Sequence, residues 1–175
     1  MPKPIDAILE PDERFRTFVK LPDLQPMKLA DHHGVIDAIR LNAAVPQNVR
    51  TAFERARCAY LYAWFAYELT TLAQAQACSA LELALYDHLK VCYPDKEFGS
   101  LNACLEKCIA DGVFDGFKTH PAGEPSDRKR LTDLRALLVH VRNEIAHGSE
   151  MVVMPGQALD LIGYCASLIN HLHRA

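Results

Sequence analysis

The sequence has no long apolar run, no glycine-rich phosphate loop and no CxxC; Cys104 and Cys108 are one turn apart, but no two further ligands are visible to complete a soft-metal site. Each absence removes a class of protein. The longest nearly uncharged apolar stretch, Cys58 to Tyr67, is ten residues held between Arg57 and Glu68. That is about half of what a membrane-spanning helix requires, so no membrane association is expected. The six cysteines, at 58, 78, 92, 104, 108 and 165, include no CxxC, and no secretory signal opens the chain. Reduced core thiols in a cytoplasmic protein are the expectation. HExxH, GxSxG and paired carboxylates with an evident role are missing as well, so neither a metal nor a cofactor is expected. Positive charge is not in excess: the net charge of −3 excludes a protein coated for nucleic acid but leaves room for a local basic cleft.

What is present is the composition of one soluble globular domain. Half of the 175 residues are hydrophobic, enough to bury a real core. Five of the ten prolines fall at 2, 4, 11, 22 and 26, with a sixth at 46. Prolines this dense prevent long helices and predict an extended lead with one helical turn near Glu13 to Val19. Residues 1–45 therefore read as an N-terminal arm, wrapped on the rest of the chain or on a partner subunit. Residues 46–175 read as a helical bundle. Asp31-His32-His33 resembles the DHH phosphoesterases at three letters only, without the strand and further acidic motifs that family needs. A short helix from Asp31 to Leu41 is the better reading.

From Pro46 the chain has no Gly or Pro until Pro94, and good helix formers dominate. This predicts either one helix of about 45 residues, some 65 Å at 1.5 Å per residue, or two with a break near Thr70-Thr71. Between Cys58 and Tyr67 the pattern is apolar all round, with Tyr60, Tyr62, Trp64, Phe65 and Tyr67. Such a helix must be covered on every side, by a core or by a second subunit. Base stacking by these rings is a weaker reading than core packing. Leu81, Ala84, Leu85 and Leu89 share one side of the following half, with Glu82 and Asp87 placed for solvent. A further helix opens at Phe98 or Ser100, buries Leu101, Cys104, Leu105, Cys108 and Ile109, and stops at Asp111-Gly112. Residues 114–125 form a loop with Phe114 and Phe117 tucked inward and His120 exposed. The last helix begins at Pro155, with His171 and His173 on its surface. The fold class predicted is all-α, an up-and-down bundle of four to five helices.

Ser126-Asp127 caps the penultimate helix, and Arg128-Lys129-Arg130 fills its first turn. Cations there oppose the helix dipole. They suggest either a phosphate-facing patch or a solvated charge cluster. Leu131, Leu134, Leu138, Val141 and Ile145 then follow 3-4-3-4 spacing, one apolar stripe. Beside it run Arg142 and, turning progressively away, Asn143 and His147. The last two are four apart, so the amide can reach the imidazole and fix its tautomer. Ala136, Val139 and Ala146 make this flank small enough for a second helix to approach. By capping rules alone the same residues are an ordinary helix stop, with Gly148 at C′ and cations in the last turn.

Arg142-Asn143 followed after three residues by His147, on the penultimate helix of a helical segment, resembles the HEPN domain family. That family's motif is an Arg, four to six intervening residues and a His, often with Asn after the Arg. The resemblance covers roughly residues 49–175. It implies a metal-independent endoribonuclease whose motifs pair across a homodimer cleft. Its catalytic residues would be Arg142 on the scissile phosphate, His147 as base or acid, and Asn143 as orienting group. RNA would be the substrate, Arg128, Lys129 and Arg130 would help bind it, and an antitoxin or defence-system protein is an implied partner. The same resemblance admits an inactive helical binding module acting through a protein or nucleotide partner. Glu144, on the opposite side of the helix, is read as a surface or interface residue.

Overall fold

The computed structural model describes residues 3–20, 22, 24–118, 124, 126–148 and 153–174. Among these the chain is mostly helical, with six α-helices: α1 Leu29–Asp37, α2 Gln47–Tyr62, α3 Leu69–Cys92, α4 Leu101–Ala110, α5 Arg128–Ala146 and α6 Pro155–Leu172. The all-α expectation holds: among the described residues, 46–175 form five helices, α2 to α6, within the four or five predicted, and α1 precedes them where a short helix was expected. One two-stranded antiparallel pairing, Val19–Lys20 with Gln25–Pro26, is a strand element that the sequence did not signal. It is only two residues long on each side.

Helix α3 is the hub, packed against α2, α4, α5 and α6. Its sequence explains why. Ala73, Ala77, Ala80 and Ala84 are fully buried, together with Leu81, Leu85 and Leu89. Alanines on several sides let neighbouring helices come close, while the leucines fill the space between them. Cys78 of α3 and Cys165 of α6 lie in this buried layer as free thiols. Cys104 and Cys108 are buried thiols too, and burial pushes the Cys108 thiol up to about 12. Of the two expected starts of α4, Phe98 and Ser100, the structure takes the second: Ser100 Oγ accepts from Ala103 N at 3.2 Å.

The stretch after Pro46 forms two helices, and the break lies at residues 63–68, upstream of Thr70-Thr71. The two threonines continue α3 without interruption, and Thr70 is buried. The break is built by the arm. Asp12 N donates to the Trp64 carbonyl at 2.8 Å, and Tyr67 N donates to Asp12 Oδ2 at 3.3 Å. One aspartate thus replaces helical partners on both sides of the corner. Arg14 clamps it, with Nε on Asp12 Oδ1 at 2.8 Å, and Nη2 on Asp12 Oδ2 at 2.9 Å and on Glu68 Oε1 at 2.6 Å. Phe15 is buried against Trp64, Tyr67 and His32. The aromatic stretch is not covered on every side, because Cys58 and Tyr62 are exposed.

Two histidines sit inside. His32 is fully buried and donates from Nε2 to the Tyr60 carbonyl at 2.8 Å. Its neighbour Asp31 caps α1 by accepting from Lys28 N. His171, expected at the surface, is buried against Phe114 and Phe117, and its Nε2 donates to the Val113 carbonyl at 3.1 Å. Helical position alone put it outward; the turn after α4 folds back and covers it. Phe114 and Phe117 are tucked in as predicted. His120, expected in the exposed part of that loop, lies outside the described residues.

Candidate functional site at the C-terminal end of α5

Helix α5 starts and stops where its sequence says. Asp127 Oδ1 accepts from Arg130 N at 2.8 Å, taking one of the free amides of the first turn. Leu131, Leu134, Leu138 and Val141 are buried and Ile145 is half-buried, so the apolar stripe faces α3 and α4. At the other end His147 N donates to Asn143 O at 3.0 Å and Gly148 N donates to Ile145 O at 3.3 Å. Gly148 has φ +75°, a left-handed conformation that a residue without Cβ adopts at little cost.

Arg142, Asn143 and His147 are all exposed on this last stretch. They do not converge on one point. Arg142 and His147 are five residues apart, about 140° around the helix at 100° per residue. Arg142 leans inward over α3, its Nη2 4.0 Å from Glu82 Oε2. Two turns earlier on the same flank, Arg135 Nη1 reaches Glu106 Oε2 of α4 at 3.4 Å. Asn143 and His147 turn to solvent. The expected bond between the Asn143 amide and the imidazole is not made among the described residues; the Asn143 backbone carbonyl holds the His147 amide instead.

Arg128, Lys129 and Arg130 are exposed at the opposite end of α5. Arg130 and Arg142 are twelve positions apart, about 18 Å along the axis at 1.5 Å per residue. The basic triplet and the Arg-Asn-His cluster therefore form two separate patches on one rod. Glu82 is the residue that helical reading misjudged. Its spacing placed it for solvent, and it sits partly buried beside Arg142 instead. Only the packing of α5 on α3 brings the two together.

The chain matches no family model, no curated protein and no solved structure. The likeness to the HEPN family accordingly stands on Arg142, Asn143 and His147 and their spacing.

Chemically, one copy of this surface offers a guanidinium, a carboxamide and an imidazole within two turns of helix. The guanidinium is a planar fork suited to a phosphate. Its link to Glu82 is a weak restraint, since a surface pair with Arg142 43% exposed contributes about 0–1 kcal/mol. Because Arg142 and His147 point in different directions, a site using both is more readily completed by two copies than by one.

Proposed function

We propose that this protein is an endoribonuclease that cleaves RNA without a metal, at a cleft formed by the α5 ends of two subunits. The observation that carries the reading is the exposure of Arg142, Asn143 and His147 together on the last turns of α5, at the spacing of a ribonuclease motif. In this mechanism a neutral His147 takes the proton of the ribose 2′-hydroxyl. The 2′-oxygen attacks phosphorus while Arg142 holds the non-bridging oxygens and stabilises their growing charge. The 5′-oxygen departs with a proton supplied by a protonated imidazole, for which His147 of the partner subunit is the group at hand. The ends are a 2′,3′-cyclic phosphate and a 5′-hydroxyl. Asn143 orients the phosphate or the imidazole, and Arg128, Lys129 and Arg130 gather the RNA backbone farther along the rod.

The test is incubation of the purified protein with end-labelled RNA in EDTA. Cleavage leaving a cyclic phosphate is expected, and Arg142→Ala or His147→Ala should each reduce it by about 100-fold or more. Replacing Arg128, Lys129 and Arg130 by Ala should weaken binding across sequences and flatten its salt dependence, by about 0.7 in logarithmic slope for each phosphate no longer neutralised. Cleavage unchanged in both single variants would end the proposal.

A second reading, a catalytically inactive helical binding module, is favoured by Glu82. A carboxylate beside Arg142 competes with an incoming phosphate, and the net charge of −3 adds no general attraction for RNA. No cleavage of any RNA, combined with tight binding of a protein partner, would select this reading.

A further inference from the structure

Between α5 and α6, over the N-terminal half of α3, runs a groove of about 400 Å³. Its walls are mainly apolar, with Leu137 and Val141 from α5 and Leu161 and Tyr164 from α6, and they also carry His140 of α5 and Gln157 of α6. Leu137 is 44% exposed, so one wall presents a large hydrocarbon surface to water. The floor is different in kind. It contains Gln74 of α3, 2% exposed, whose Oε1 has no hydrogen-bond partner among the described residues. One turn earlier on the same helix the buried Thr70 Oγ1 is unpartnered too. A buried carbonyl oxygen without a partner costs about 1–3 kcal/mol, and folded proteins keep few of them. At the rim Asp160 contributes a carboxylate.

We propose that this groove binds a small planar molecule with an amide-type edge, neutral or cationic, that pairs with the Gln74 carboxamide. The terminal torsion of a glutamine is soft and two-fold, so the side chain can turn its oxygen toward a ligand N–H and its amino group toward a ligand carbonyl. The apolar walls take the flat faces of the ligand. Asp160 repels an anion, which separates this site from the phosphate chemistry proposed at Arg142 and His147. A helix from a second copy would bridge the groove over Leu137 without reaching a floor residue so deeply placed. A small molecule reaches it. The volume lies within the usual range of small-molecule pockets. The groove takes such a ligand whether or not the protein cleaves RNA.

The experiment uses the full chain and benzamide as probe, followed by amide chemical shifts in NMR titrations. Saturable shifts at Gln74, Leu137 and Val141 are expected, with a Kd of about millimolar for so small a ligand. Benzoate has the same shape but is anionic and has no donor; it should bind at least about tenfold more weakly. Gln74→Leu should weaken benzamide by about tenfold while raising the melting temperature, because a buried unpartnered carbonyl oxygen has been removed. Leu137→Trp, on the exposed wall, should fill the groove and block the probe without unfolding the protein. Equal binding of benzamide and benzoate, or no saturable shift at these residues, overturns the proposal. So does unchanged benzamide affinity in a folded Gln74→Leu protein or in Leu137→Trp. A groove occupied by a second copy at all protein concentrations would give no probe shifts and overturn it equally.

Discussion

Asp12 accepts hydrogen bonds from the Tyr67 amide and from the Arg14 side chain, and the Arg14 guanidinium holds its carboxyl down at about 2. Burial works in the opposite direction and loses. A folded-state pKa below the unfolded value means that the stabilisation is present above about pH 3.9 and is lost as the pH falls toward 2. Asp12→Asn keeps the shape but removes the charge. We expect it to cost about 1–3 kcal/mol at pH 7, the worth of charge-assisted hydrogen bonds, in urea unfolding. The gap between the two proteins should narrow as the pH is lowered through 4 to 2. A gap of constant size over that range would show that the charge is not what matters. His32 and His171 change stability with pH in the same direction, from a different cause. Burial lowers both, so each is held neutral, and each subtracts stability as the pH drops below the ordinary imidazole value of about 6.5.

At the scale of elements, α5 and the α2–α3 corner make an instructive pair. Both ends of α5 follow local rules: an aspartate cap, a 3-4-3-4 stripe and a glycine at positive φ. Local rules of this kind operate before any tertiary contact exists, and the sequence displays them openly. Asp127→Ala should cost about 1 kcal/mol, the usual worth of an N-cap, as a lower thermal midpoint. An unchanged midpoint would mean that the cation-rich first turn is frayed and does not depend on its cap. The corner obeys no local rule. Thr70-Thr71 is the only weak spot that propensity reveals, yet the chain turns at residues 63–68, where Asp12 and Phe15 arrive from about fifty positions away. A β-branched pair costs a helix only tenths of a kcal/mol per residue. That is less than a buried aromatic cluster and a clamped carboxylate gain.

At the scale of the whole molecule, assembly turns on α5. Its small flank, Ala136, Val139 and Ala146, leaves Ala136 and Ala146 exposed, and the ribonuclease reading needs a second copy there. The chain should then elute at twice its 19.6 kDa mass. Ala146→Trp should shift it toward the monomer and reduce RNA cleavage in parallel. A monomer at all micromolar concentrations would remove the shared cleft, while leaving the groove above Gln74 intact.

The sequence by itself determined the all-α class, the caps and stripe of α5, the start of α6 at Pro155 and the inward packing of Phe114 and Phe117. These follow from periodicity and from single-residue conformational preferences, which act within a few neighbours. It also displayed the Arg-Asn-His spacing, though not the directions in which those side chains point. Tertiary structure alone decided that α3 is the hub, that Glu82 lies beside Arg142 and that His171 is covered. It alone also stationed Gln74 beneath a groove. Each of those depends on which helix lies against which. That choice is made by the summed burial of whole faces, a quantity no local window of sequence contains.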